Sequence, residues 1–223
     1  MSELNTNNLD RLVSVAKGII GVCPAIGPLA SEAIGSLIPN QRLERVVNFV
    51  MKLEEHIEKV DSRLNMLETN LKTPEGLDIF EEGLIQASRA VSRERQQQLA
   101  VIIAISLTNA QVKYSESKKI LNIFRELTDA EILWLLYYST TPTLGSEFHN
   151  KLRQDNPEIL KPVSREFGAP QEQVDRGALQ DSYKNTLLRL GLVEKRRSSI
   201  QISSLGRLLV RYIESQHNNN SIS

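Results

Sequence analysis

The chain has 223 residues, in which 27 Lys and Arg balance 27 Asp and Glu, so its net charge attracts neither nucleic acid nor an anionic membrane. Such a length is enough for one large domain or two small ones whose core needs no metal or disulfide. Because Cys23 is the only cysteine, an intramolecular disulfide is excluded and a reducing, cytoplasmic setting is expected.

An uncharged segment, residues 18–31, follows a short helix predicted over Leu9–Lys17. No basic start with an apolar core precedes it, so we expect no signal peptide. The segment is interrupted by Pro24 and Pro28 and is shorter than the ~20 residues of a membrane-spanning helix, which favours a buried helical hairpin. The alternative is membrane insertion through apolar residues of this region. These are Ile19, Ile20, Val22, Ile26, Leu29, Ile34 and Leu37.

The strongest periodic pattern places apolar residues at alternating steps of three and four from Leu43 to Leu71. This heptad spacing predicts one long helix with an apolar seam and a charged, mixed-sign face. The seam either joins the chain to a second copy or another protein as a coiled coil, or packs antiparallel on the next helix of the same chain. Its residues are Leu43, Val46, Val50, Leu53, Ile57, Val60, Leu64, Leu67 and Leu71.

The middle of the chain continues the helical pattern. Residues 73–76 are predicted to form a turn, because their proline cannot continue the preceding helix. A second long helix is predicted from Leu77. The segment Leu99–Leu107 is rich in β-branched residues, yet its length and flanks favour a buried helix over a strand. With a further helix over Lys118–Leu127, residues 1–127 are predicted to form one helical domain.

Thr128 and Glu131 have the spacing of a capping box and open a second predicted domain, residues 128–216. A first helix with the only tryptophan leads into a polar segment interrupted by four prolines, expected to form loops and short helices. A helix, a short strand, a basic turn, a short strand and a last helix follow, in the order of a winged helix. Their predicted bounds are Gly177–Leu190, Leu192–Lys195, Arg196–Ser199, Ile200–Ile202 and Leu205–Ser215.

The predicted fold is therefore mainly α. It consists of the apolar hairpin, the heptad-patterned helix packed on a second long helix, and a C-terminal winged-helix-like subdomain. Residues 217–223 are predicted to be a disordered tail.

Basic residues cluster around the predicted wing, where Glu194 is the only acidic residue between Tyr183 and Tyr212. On one face they would supply several salt-sensitive phosphate contacts, with bases read from the preceding helix. The alternative is that the subdomain binds protein or only packs. The candidate DNA contacts are Lys184, Arg189, Lys195, Arg196, Arg197, Arg207 and Arg211. The candidate readers are Gln180, Tyr183, Lys184 and Asn185.

No catalytic, metal or cofactor motif is recognisable. His56, His149 and His217 are far apart in sequence and none has a metal-motif spacing to Cys23; His56 is expected on the surface of the heptad helix. No glycine-rich phosphate loop and no elbow-type serine is present. Adjacent carboxylates such as Glu54–Glu55 point in different directions on a helix and favour solvation over acid–base chemistry. We therefore expect a protein without enzymatic activity, cofactor or small-molecule substrate.

A resemblance to a known family rests on the order of four segments along the chain: Gly27–Glu32, Phe80–Ala87 through Gln98–Ala100, Leu188–Glu194 and Ile202–Arg207. That order resembles the bacterial abortive-infection alpha family and related prophage or defence-island proteins. The resemblance implies a bacterial protein of phage defence and carries over no catalytic residues; the heptad helix is not part of it. The resulting hypothesis is an accessory or regulatory interaction protein, with a DNA-binding regulator and a membrane-perturbing effector as alternatives.

Overall fold

The computed structural model describes residues 42–57, 61–141, 146–164, 166, 168–196 and 199–214. These residues form ten helices and one two-stranded hairpin, which confirms the mainly α fold with a small winged-helix-like region at the C-terminus. The predicted apolar hairpin, the tail and Arg197 lie outside the described residues. None of the helices in the described ranges has both the length and the apolar character needed to cross a bilayer.

The chain divides into two compact units. We call Ile123–Arg211 the C-terminal unit, and the rest of the chain, up to Asn122 and from Tyr212, the N-terminal unit. The sequence predicted one domain boundary, between residues 127 and 128. The structural division instead falls within two helices, between residues 122 and 123 and between residues 211 and 212.

The N-terminal unit is built around one central helix. Its helices are α1 (Leu43–Ile57), α2 (Asp61–Leu71), α3 (Pro74–Arg89), α4 (Arg93–Thr108) and most of α5 (Tyr114–Glu126). Helices α1, α2 and α3 all pack on α4, whose apolar run Leu99–Leu107 is almost entirely buried. Ser92 caps this helix by accepting a hydrogen bond from the backbone N–H of Arg95 at 3.2 Å. Burial on three sides explains why β-branched residues here form a helix, because packing outweighs their weak intrinsic preference.

The described residues of the heptad seam are buried within the single chain. Helices α1 and α2 both pack on α3 and α4, and residues 58–60 between them lie outside the described part of the chain, so one continuous helix stays a prediction. The side chains of Leu43 and Leu64 are likewise not described. The remaining seam residues are each at most 4 % exposed: Val46, Val50, Leu53, Ile57, Leu67 and Leu71.

The buried face of α1 is wider than the heptad pattern predicts. Phe49, Glu54 and His56 are also buried, and Nε2 of His56 lies 2.6 Å from Nε2 of Gln97 on α4. The prediction of His56 on the helix surface was therefore wrong. Because α1 contacts two helices rather than one, it buries a broader arc than the narrow two-row stripe of a coiled coil, and that arc includes polar side chains.

Helix α3 begins at Pro74, three residues before the predicted start. The Oγ1 atom of Thr73 accepts a hydrogen bond from the backbone N–H of Gly76 at 3.1 Å, and Pro74 occupies the first turn. The segment that we predicted as a turn is thus the capped first turn of the helix. Proline is tolerated there because its missing N–H would have no helical partner.

The C-terminal unit contains the winged-helix-like arrangement. Its elements are α6 (Asp129–Ser139), α7 (Glu147–Asp155), α8 (Pro157–Leu160), α9 (Gln171–Arg189), β1 (Val193–Arg196), β2 (Ser199–Ile202) and the greater part of α10 (Ser204–Glu214). The strands pair antiparallel, with Val193 opposite Ile202 and Arg196 opposite Ser199. Helix α6 packs on both α9 and β2 and forms the centre of this unit.

Two helix starts in this unit show which signals the sequence carried. The capping box at α6 is present, since Thr128 and Glu131 exchange hydrogen bonds between side chain and backbone. Helix α9, in contrast, begins at Gln171, six residues before the predicted Gly177. Residues 171–176 are polar apart from Val174 and carry no apolar stripe, so periodicity did not detect this part of the helix.

Candidate interaction surfaces of the C-terminal unit

Two buried polar side chains hold the helices of the C-terminal unit together. His149 of α7 is 1 % exposed, and its Nε2 lies 3.0 Å from the carbonyl oxygen of Tyr137. Because a carbonyl only accepts, Nε2 must donate, and Nδ1 lies 2.8 Å from the Ser146 hydroxyl, from which it accepts in the neutral ring. Gln180 of α9 is 4 % exposed and donates to the carbonyl oxygens of Ile159 and Lys161 at 3.0 and 2.9 Å. These bonds fix α7 and α8 against α6 and α9.

The residues that the sequence proposed as base readers are mostly turned inward. Gln180 is bonded within the unit, Tyr183 is half-buried, and Nζ of Lys184 lies 4.3 Å from the ring centroid of Trp134. Of the four, only Asn185 is exposed. The four residues therefore do not form one outward surface on α9.

The outward face of α9 is apolar and acidic instead. Val174 is 50 % exposed and Leu179 is 55 % exposed, although both are large apolar residues. Glu172 and Asp175 are exposed beside them and bond along the helix, to Arg176 and to Gln171 respectively, each at 2.7 Å. We call Glu172, Val174, Asp175, Ala178 and Leu179 the α9 face. Steps of three and four join Val174 to Ala178 and join Glu172 to Asp175 and Leu179, so the five exposed positions follow one another around a broad arc of the helix.

The basic residues around the wing are spread out, and several have acidic partners. Both terminal nitrogens of Arg189 lie within 3.3 Å of Glu126, and Arg196 bonds to Glu194 at 2.8 Å. Lys195, Arg207 and Arg211 are exposed. Residues 128–214 contain twelve Lys and Arg against eleven Asp and Glu. The local excess read from the sequence is therefore balanced by acidic residues on neighbouring elements.

A cleft that sequence reasoning missed lies between α6, α7 and α9. It has a volume of about 300 Å³ and is lined by Trp134, Tyr137, Tyr138, Arg153 and Lys184, among others. We call it the aromatic cleft. The sequence pattern that could have predicted it is the spacing of Trp134, Tyr137 and Tyr138, which places three of the chain's eleven aromatic residues on one side of α6. A second concavity of about 250 Å³ runs between the end of α6 and β2, with Tyr138, Ile200 and Arg207 in its wall.

Comparison of the chain with protein-family models, curated proteins and solved structures finds no match. Within the described ranges, no group of three or more His, Cys, Asp or Glu side chains comes together as a set of metal ligands. The candidate interaction surfaces among the described residues are the α9 face, the described part of the wing and the aromatic cleft.

Proposed function

We propose that the C-terminal unit is a protein-binding module, and that the chain acts through it as a cytoplasmic accessory or regulatory factor in bacterial phage defence. The observation that carries this proposal is the α9 face, where two large apolar side chains are half exposed on the same broad arc as two carboxylates. Contiguous exposed apolar residues with a polar rim are typical of protein–protein contacts. The order of segments that resembles the abortive-infection alpha family supports the defence context.

The charge of this face argues for a protein partner over DNA. In a DNA-binding winged helix, the N-terminal part of the corresponding helix lies in the major groove, close to phosphates. Here that part carries Glu172 and Asp175, which would repel a phosphate backbone. An amphipathic helix with basic residues beside its apolar stripe has the complementary pattern. Its apolar stripe would cover Val174 and Leu179, and its basic residues would face the two carboxylates.

The first test measures binding of a partner with this chemistry. A fluorescently labelled helical peptide of Leu and Lys, with the leucines on one face, is expected to bind the full chain in an anisotropy titration. Replacing Val174 and Leu179 together by serine removes the two apolar anchors, and we expect the dissociation constant to rise by about tenfold. The measurement is repeated with a peptide in which every Lys is replaced by Glu, which should bind more weakly.

Val91→Ser provides the matched control, because Val91 is 80 % exposed in the N-terminal unit and the change removes the same side chain. This variant should bind the peptide like the wild type. Equal affinity of the Val174→Ser/Leu179→Ser variant and the wild type would reject the α9 face. Tighter binding to duplex DNA, lost with rising salt and with Lys195→Gln/Arg207→Gln, would favour the DNA-binding alternative.

The second test addresses the defence context. In a bacterium that carries the gene, its deletion is expected to raise the plating efficiency of phages that the parent strain restricts. Complementation with wild type or Val91→Ser should restore restriction, whereas Val174→Ser/Leu179→Ser should not, because the partner contact is lost. Immunoblotting ensures equal protein levels. Restriction unaffected by deletion would contradict the defence role, and full complementation by the double variant would separate that role from the α9 face.

A further inference from the structure

The aromatic cleft brings two cations onto aromatic rings. Helix α6 presents Trp134, Tyr137 and Tyr138 to it, with the Trp134 and Tyr137 rings 5.4 Å apart in an edge-to-face arrangement. Lys184 of α9 lies with Nζ 4.3 Å from the Trp134 centroid, and Arg153 of α7 lies with Cζ 5.2 Å from the Tyr137 centroid. Cation–π contacts of this kind hold a positive charge in a defined position. Two positive charges from different helices thus line one concave surface.

Arg153 has the features of an anion anchor. Its side chain is half-buried and donates a hydrogen bond to the Tyr137 hydroxyl. Among the described residues no carboxylate forms an ion pair with it. A guanidinium carries five N–H donors in a planar fork that matches phosphate and carboxylate oxygens, so one bond to Tyr137 leaves most of its donor capacity.

The rest of the cleft is suited to a flat apolar group. Leu160, Pro162 and Val163 line it together with the aromatic rings. Burial raises the pKa of Tyr138 to about 12, with smaller contributions from Tyr137 and from the Asp181 carboxylate, so the Tyr138 phenol itself is neutral at physiological pH. The volume of about 300 Å³ is at the lower end of small-molecule sites.

We infer that the aromatic cleft binds a small organic anion, a phosphate or carboxylate that carries a flat apolar group. Arg153 and Lys184 contact the charged end, and the aromatic and aliphatic walls hold the flat group. This site is separate from the α9 face, and its test does not depend on a protein partner.

The only tryptophan of the chain lies in the cleft wall, so intrinsic fluorescence reports occupancy directly. Phenyl phosphate and benzoate are the probes, and inorganic phosphate and phenol represent the two halves of the ligand. We expect a saturable change in Trp134 emission with at least one probe, and weaker binding of each half. Arg153→Gln is expected to raise the dissociation constant by about tenfold or more, because it removes the charged fork.

Lys151→Gln is the matched control, since Lys151 is exposed on the same helix and the change removes the same charge. Its affinity should stay within about twofold of the wild type. Because Arg153 also bonds to Tyr137, circular dichroism verifies folding, and Lys184→Gln removes the second cation from a different helix. The inference is overturned if neither probe gives a saturable change up to about 10 mM. It is also overturned if Lys151→Gln weakens binding as much as Arg153→Gln, or if folded Arg153→Gln and Lys184→Gln both bind like the wild type.

Discussion

Replacing Gly206 by alanine is expected to destabilise the C-terminal unit by about 3 kcal/mol or more. A Cβ atom at this position would lie 2.1 Å from the carbonyl oxygen of Leu192 and 2.8 Å from Cγ1 of Ile202. The Leu192 carbonyl has little freedom to move, because its oxygen accepts a hydrogen bond from the backbone N–H of Ser203, with an N–O distance of 3.0 Å. The Ser203 hydroxyl in turn accepts from the N–H of Gly206 at 3.0 Å and donates to the Gly191 carbonyl at 2.6 Å.

The first turn of α10 is thus pressed onto the backbone that leads into β1, and only glycine fits there. The free energy of unfolding is measured by urea titration with Trp134 fluorescence, which reports on the C-terminal unit.

Gly177→Ala is the control. Gly177 lies within α9, and its added Cβ would meet only Cγ2 of Val163 at 3.4 Å, an ordinary contact. Because alanine favours a helix over glycine by about 0.5–1 kcal/mol, this variant should be unchanged or slightly more stable. A Gly206→Ala protein as stable as the wild type would show that the contact relaxes without cost.

Local rules explain which parts of the fold were visible in the sequence. The capping box of Thr128 and Glu131 and the β1–β2 hairpin each depend on residues close together in the chain, and the length and flanks of Leu99–Leu107 were enough to predict a helix. The requirement for glycine at position 206 does not depend on its neighbours in sequence. The Leu192 carbonyl oxygen, which leaves no room for a side chain there, is brought to it by the folded β1–β2 hairpin. The width of the buried face of α1 could not be predicted either. It depends on contacts with two helices, and sequence periodicity does not show how many helices pack on α1.

The candidate surfaces were less predictable for the same reason. The sequence shows the arginines around the wing but not their acidic partners. Arg189, for example, pairs with Glu126, which lies 63 positions away in the chain. The sequence predicted the correct helix for Lys184. The orientation of its side chain toward Trp134, however, depends on how α9 packs on α6. The aromatic cleft combines side chains from three helices, and no single segment carries its pattern.

The largest effect on the N-terminal unit is expected from Val50→Glu combined with Ile57→Glu. Both side chains are at most 1 % exposed, on a helix that packs against α3 and α4 of the same chain. An unpaired carboxylate in such a site costs several kcal/mol, and two of them approach or exceed the 5–15 kcal/mol that stabilises a typical domain. We therefore expect a protein that loses helical circular dichroism and the cooperative unfolding of this unit, with no folded monomer at any protein concentration.

Met51→Glu is the matched control, because Met51 lies next to Val50 on α1 but is 40 % exposed. It adds the same charge and should leave helicity and light-scattering mass unchanged. A wild-type dimer that the double substitution converts into a folded monomer would contradict the expectation and place the seam at a self-interface. Unfolding of a wild-type monomer would instead assign the seam to the chain's own core. A coiled-coil partner would then have to displace α3 and α4 to reach it, so the partner-binding role would fall to a surface already exposed, such as the α9 face.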